Sequence, residues 1–169
     1  MEWLIYGALA VLFCFSFVLL FGAPYVPTLA PQIKTALELT KLNSKDVFIE
    51  LGCGDGKVLI AAANTGAKVV GYELNPIMAL IAWLRTRRYG KQVKVVCGNF
   101  WTKQWPAETT VIFTFLHTNF MKRLDKKVIQ YNYKKVKLAS FAFAIPGRTP
   151  VTEKGGIFLY EYVAGVSQK

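Results

Sequence analysis

Histidine is nearly absent from this sequence and cysteine is scarce: 169 residues hold one His and three Cys. With His117 alone, a tetrahedral Cys/His metal site has too few ligands to close. Cys14, Cys53 and Cys97 show neither a disulfide pattern nor metal-ligand spacing, and they read as small apolar fillers. Acidic residues are few as well, 10 Asp and Glu against 21 Lys and Arg, for a formal charge of +11. No repeat or low-complexity stretch is present. The length suits one domain with a core and one extra element, not two full domains.

Charge is missing altogether from WLIYGALAVLFCFSFVLLFGA, Trp3 to Ala23. As a helix such a run is roughly 31 Å long, about the thickness of a bilayer's hydrocarbon core. No Lys or Arg precedes it and the only charge before Trp3 is Glu2, which disfavours a cleavable signal peptide. Every Lys and Arg follows it, beginning at Lys34, so the positive-inside bias places the rest of the chain in the cytoplasm. The expected division is a single-pass transmembrane helix over 1–23, a juxtamembrane linker over 24–35 carrying Pro24, Pro27 and Pro31, and a globular domain over 36–169.

Within that domain the hydrophobic period alternates. DVFIELG (46–52), KVVGYEL (68–74), VKVVCGNF (93–100), TTVIFTFL (109–116), LASFAFAI (138–145) and IFLYEYV (157–163) read as strands. Helical patterns separate them at 57–66, at 76–90 with Pro76 in its first turn and Gly90 as C-cap, and at about 119–135. Strands joined by crossover helices make a doubly wound α/β domain, here with a mainly parallel sheet of about six strands. Its ligand belongs beyond the carboxyl ends of the strands.

The loop ELGCGDGK, Glu50 to Lys57, lies at the end of the first strand. It is not a Walker loop, since Leu51 stands five before Gly56 and Val58 follows Lys57. Nor is it G-x-G-x-x-G, because Lys57 occupies the third glycine position. Glu50 and Asp55 would oppose a pyrophosphate, with only Lys57 and a helix N-terminus in compensation. A cationic ligand carrying an ammonium, a sulfonium and a ribose fits better, with glycines that let backbone approach and acids that complement its charge.

The loop E-x-G-x-G-x-G, an acid ending the second strand (Glu73 in YELNP) and a polar residue after the third (Asn99 in CGNFW) together resemble the class I S-adenosylmethionine-dependent methyltransferases, a Rossmann-like family. More narrowly, the apolar N-terminus, PYVPT, LGCGDGK, VGYELNP and the Trp after strand three are similar to small membrane-anchored lysine methyltransferases. Those are related to the mitochondrial enzymes that modify the ATP synthase c-subunit and the adenine nucleotide translocase. The resemblance runs from Pro24 to about Pro150. It departs at Asn99, where the superfamily usually carries Asp, and after IFLYEYV, where little chain is left for the strand pair that usually closes the sheet. A sheet shortened at its C-terminal edge is therefore expected.

The resemblance implies S-adenosylmethionine as cofactor, with Glu50, Gly52, Gly54, Asp55 and Gly56 around its methionyl part, Glu73 at the ribose hydroxyls, Asn99 and Phe100 flanking the adenine, and Cys53, Leu74 and Asn75 also among the cofactor-binding residues. His117 and Asn119 follow the fourth strand, where acceptor meets methyl; they are read either as catalytic and substrate-orienting groups or as a structural loop. An elaborate acid/base set is not needed when the methyl is already activated and the protein mainly aligns the nucleophile. Trp101, Trp105 and Phe115 are read as an apolar acceptor channel, as core or as a membrane-interface belt. The basic runs 85–91 and 121–135 are solvated faces, nucleic-acid contacts or contacts with anionic lipid, the tether favouring the last. FTFLHTNF lacks the [DN]-P-P-[YF] motif used on exocyclic amines of bases, so no nucleic-acid partner is expected. Three functions follow: methyl transfer to a protein lysine, on a membrane protein in the leading reading; transfer to a lipid or small lipophilic acceptor; or a non-catalytic cofactor-binding adaptor at the membrane.

Overall fold

The computed structural model describes residues 2–9, 12, 27–131 and 133–165. Residues 2–9 are helical and exposed (α1). The span read over 1–23 falls mostly outside the described residues, among which no helix is long and apolar enough to cross a membrane. Then follow α2 (Ala30–Thr40), β1 (Val47–Leu51), α3 (Lys57–Ala63), β2 (Lys68–Glu73), α4 (Pro76–Thr86), a 3-10 turn (Arg87–Gln92), β3 (Val93–Cys97), β4 (Val111–Thr114), α5 (Thr118–Tyr131), β5 (Lys135–Phe141), β6 (Thr152–Lys154) and β7 (Ile157–Val163).

The strands form one sheet of seven in the order β3-β2-β1-β4-β5-β7-β6. Strands β1 to β5 are parallel where they pair, and β7 returns antiparallel against β5. The Rossmann-like doubly wound class stands as read, but the expected count of about six strands and the shortened far edge are corrected. IFLYEYV is itself the strand of the closing pair that lies against β5, and its partner β6 is only three residues, TEK, all exposed. Gly155 and Gly156, at φ 58° and 76°, join the two in a tight hairpin. That two-glycine loop is a hairpin signal; the charged, three-residue strand before it carries no apolar period.

Each strand buries alternate residues on opposite faces, as its period of two requires. Phe48, Val69, Val111, Phe113 and Ala139 pack against Ile33 and Ala36 of α2, Leu59 and Ala62 of α3, and Ala82 of α4. Ile49, Leu51, Ile112, Val136 and Leu138 pack on the other side against Met121, Leu124 and Val128 of α5. Helices α2, α3 and α4 therefore form one layer, and α5 lies across the sheet from them.

Several boundaries move from their sequence reading. The helix read over 76–90 ends at Thr86 with Arg87 as its C-cap, and Gly90, read as the cap, lies at φ 55° and ψ −126° inside the 3-10 turn. The linker read to residue 35 ends earlier, because α2 begins at Ala30 with Pro31 in its first turn, where a missing N–H costs no hydrogen bond. The strand read to Ile145 stops at Phe141. Ala142 adopts φ 66°, a left-handed conformation a non-glycine residue rarely takes, and the chain leaves the sheet there.

Candidate active site

The carboxyl ends of β1, β2, β4 and β5 are aligned by register. Leu51 pairs with Tyr72 and with Thr114, and Thr114 pairs with Ser140. One residue further along each strand stand Gly52, Glu73, Phe115 and Phe141, side by side on the rim.

Gly52 and Cys53 both donate their N–H to the carbonyl of Tyr72, at 2.9 Å, so the chain turns off β1 while still hydrogen-bonded to β2. Gly52 has φ 86°, and a Cβ built there would meet nothing within 4 Å. Open space thus faces the loop where backbone alone lines it. Gly56 serves another purpose: it is the left-handed N-cap of α3, and a Cβ there would lie 3.2 Å from Ala82, inside the α3–α4 contact. Cys53 is 4% exposed with its Sγ 2.8 Å from where a Gly71 Cβ would be, so its side chain packs inward and burial pushes its thiol pKa well up.

Glu73 ties the site together. Its Oε2 accepts the N–H of Gly54 at 2.8 Å and its Oε1 the N–H of Asn75 at 2.8 Å. Each oxygen keeps a second lone pair. Asn75 is buried, and its side chain caps α4 by accepting from Ile77 N at 2.9 Å and Met78 N at 3.3 Å. Leu74 is half-buried between them.

Glu50 is buried, and its Oε2 has no hydrogen-bond partner. Burial first, then the charges of Glu73 and Asp55, hold its carboxyl well above the ordinary glutamate range. A buried carboxyl without a donor costs free energy unless it stays protonated or meets a cation or water. Asp55, in the same loop, is engaged by a neighbouring helix. It is bound to Arg85 of α4, whose guanidinium also donates to the Asp55 carbonyl at 3.1 Å, and its Oδ1 accepts the Lys57 N–H at 3.2 Å. The sequence places Arg85 in the basic run 85–91 and not at the site; from Asp55 it is 30 residues away, a spacing no local motif encodes.

At the end of β3, Gly98 donates to the Glu73 carbonyl at 2.7 Å, bringing Asn99 close to that residue. Asn99 is exposed, with its Oδ1 accepting the Trp101 N–H at 2.9 Å. Phe100 is half-buried, its ring 4.7 Å from that of Trp101. His117 and Asn119 are exposed at the start of α5, where the His117 Nδ1 accepts the Asn119 N–H at 3.4 Å.

The three-ring channel is not assembled. Trp105 is 2% exposed, stacked on Tyr131 at 5.1 Å and donating Nε1 to the Phe100 carbonyl at 3.1 Å; it belongs to the core beneath α5. Trp101 lies under the Arg123 guanidinium at 4.4 Å. Phe115 instead meets Phe141 at 4.6 Å and Phe143 at 6.1 Å, with His117 5.2 Å from Phe143. Phe141 and Phe143 escaped the sequence reading because LASFAFAI looked like uninterrupted strand. The signal was available in the β4–β5 pairing, which sets Phe141 beside Phe115.

The residues fit a cationic nucleoside ligand: an open, side-chain-free approach at Gly52, an unsatisfied buried acid beneath it and an acid with spare acceptor capacity next to it. This sheet order, with a glycine loop after β1 and an acid ending β2, defines a class I S-adenosylmethionine-dependent methyltransferase. The chain belongs to the ANTKMT methyltransferase domain family, which it matches over residues 50–152. It is 33% identical over 131 residues to a protein-lysine N-methyltransferase of Saccharolobus islandicus, covering 75% of this chain and 81% of that one. It is 28% identical over 145 residues to the ATP synthase C-subunit lysine N-methyltransferase of Homo sapiens, covering 83% of this chain and 61% of that one. The crystal structure of an RNA methyltransferase from Salinibacter ruber in complex with S-adenosyl-L-homocysteine superposes with a TM-score of 0.76 at 25% identity, over 85% of this chain and 97% of that one. The cofactor is S-adenosylmethionine. The chain spans less than two thirds of the human relative's length.

Proposed function

We propose that this protein transfers the methyl group of S-adenosylmethionine to the side-chain amine of a protein lysine, on an acceptor held at a membrane. The observation that carries the reading is the rim itself, where Gly52 and Glu73 stand in one row with Phe115 and Phe141. Glu73, Glu50 and the Gly52–Gly54 backbone would hold the cofactor, which supplies an activated methyl when bound. Asn99, Phe100 and Leu74 would border its adenosine. Phe115, Phe141 and Phe143 give an apolar, aromatic approach from the β4–β5 side. There a lysine sheds water, which favours the neutral, nucleophilic amine, and rings facing it attract the cationic form before it loses its proton. His117 and Asn119 border that approach and would orient the acceptor.

The named relatives support lysine as acceptor, and the apolar run at 3–23 with its following cations supports a single-pass anchor with the domain on the cytoplasmic side. The segment after β4, Phe115–Leu116–His117, has none of the prolines or the acid or amide of the base-modifying motif. The test is incubation of the full-length protein with isotopically labelled S-adenosylmethionine and, separately, membrane proteins, soluble proteins, lipids and RNA. Label on lysine in the membrane proteins is expected; label on lipid or RNA replaces the acceptor, and cofactor binding without any transfer makes the protein an adaptor.

A further inference from the structure

Helix α4 carries its large apolar side chains on the wrong side for a helix bordering water. Its inner face is made of Met78, Ala79, Ala82 and Thr86, all buried. Its outer face presents Leu80, Trp83 and Leu84, which are 54%, 53% and 45% exposed. Spacing of three and four residues places them in one stripe. Immediately beyond it, Arg87, Arg88 and Lys91 are exposed, while Arg85 is held back by Asp55. An apolar stripe with a Trp, followed by a cluster of cations, is the composition of a helix lying in a membrane interface.

The surroundings of α4 agree. The layer it shares with α2 and α3 is the one the chain enters from the N-terminal side, at Leu29, itself 61% exposed. Between α2 and α3 runs a groove of about 920 Å³ bordered by Leu29, Ile33, Leu37, Ile60 and Ala61. Lys34, Glu38, Lys41 and Asn64 line it as well, and it shares only Lys57 with the glycine loop, so it lies apart from the cofactor site. The other basic helix, α5, with exposed Lys122, Arg123 and Lys126, packs on the opposite face of the sheet. A bilayer laid along α4 therefore has α5 on its far side, and the two basic runs cannot both lie flat on it.

We propose that α4 is a second membrane contact, with Leu80, Trp83 and Leu84 bedded at the acyl boundary of an anionic bilayer and Arg87, Arg88 and Lys91 among its headgroups. The +11 charge attracts anionic lipid and repels a second copy. The stripe would hold the domain side-on, fixing the distance of the carboxyl rim from the lipid surface. This rests on the membrane placement proposed above and is independent of the acceptor.

The experiment uses the full-length protein with Cys14→Ser and Cys97→Ser, carrying a nitroxide at Leu84→Cys or, as a control, at Lys122→Cys. Each is reconstituted into vesicles of phosphatidylcholine with phosphatidylserine and probed with oxygen and with a water-soluble nickel relaxant. The expected result is a several-fold higher oxygen-to-nickel accessibility ratio at 84 than at 122, falling when Arg87→Glu and Arg88→Glu are added. Equal, water-like ratios at both positions in vesicle-bound protein overturn the α4 contact and leave the anchor in place. Protein that does not stay with the vesicles overturns both. A spin-spin interaction between labels at 84, with no gain in oxygen access, assigns the stripe to a second copy and also overturns the proposal.

Discussion

The carboxylate of Glu73, at the end of β2, accepts the backbone N–H of Gly54 at 2.8 Å across 19 residues of chain. With its bond to Asn75 N–H, one side chain holds both the glycine loop and the start of α4. Two charge-assisted hydrogen bonds to ligand hydroxyls are worth roughly 3 to 6 kcal/mol together. Glu73→Ala should therefore weaken S-adenosylmethionine binding by about a hundredfold or more in calorimetry. It should also speed hydrogen exchange at Gly54 and Asn75 in the cofactor-free protein. Affinity equal to that of the unchanged protein would remove Glu73 from the site.

Glu50 makes the cofactor-free fold sensitive to pH. Its pKa is raised in the folded state by burial, then by Glu73 and Asp55, so the fold binds this proton more tightly than the unfolded chain does. Stability from this group is complete below the ordinary glutamate value and is lost as pH rises toward the raised one. Glu50→Gln should flatten that decline and raise the melting temperature at neutral pH. The same change should weaken cofactor binding, because a neutral amide no longer faces the cation. A variant whose melting temperature shows the same pH dependence as the parent contradicts this role for Glu50.

Gly52 and Gly56 separate binding from folding. Gly52→Ala puts a methyl into open space at φ 86°, with a backbone penalty of about 1–2 kcal/mol, and should abolish cofactor binding in a folded protein. Gly56→Val drives a branched side chain against Ala82, 3.2 Å from the first added carbon, and should lower the unfolding midpoint further. If Gly52→Ala binds cofactor normally, the open space there belongs to no ligand.

Phe115→Ala should act on the acceptor alone. Phe115 stands one residue past Thr114 and contacts Phe141 and Phe143, so its loss should raise the acceptor KM several-fold with cofactor affinity unchanged. By contrast, Trp105→Ala removes a buried ring and should cost about 3–5 kcal/mol of stability. Equal effects of Phe115→Ala on cofactor and acceptor would place this ring at the cofactor instead.

Much of this site is legible in the sequence because its parts are local. The glycine loop, Glu73 and Asn99 each sit where a strand ends, and hydrophobic period marks strand ends well. What escaped depends on pairing across the sheet. Arg85 meets Asp55 only because α4 packs beside α3, and Phe141 joins Phe115 only through the β4–β5 register. Strand β6 escaped for a different reason: three exposed residues carry no period, and only Gly155–Gly156 announces the hairpin. Trp105 was left open between channel and core because an aromatic residue in a loop reads alike whether it lines a channel or, as here, fills the core under α5.

Lysine methylation at this rim is tested most directly by residue-resolved mass spectrometry of membrane proteins after incubation with the full-length enzyme and S-adenosylmethionine carrying a labelled methyl, with the Glu73→Ala variant in parallel. Label is expected on the side-chain nitrogen of lysine, in a membrane protein, and it should be lost with the variant. Label confined to RNA or lipid, or lysine label that the variant deposits equally well, would contradict both the acceptor and the role given to Glu73.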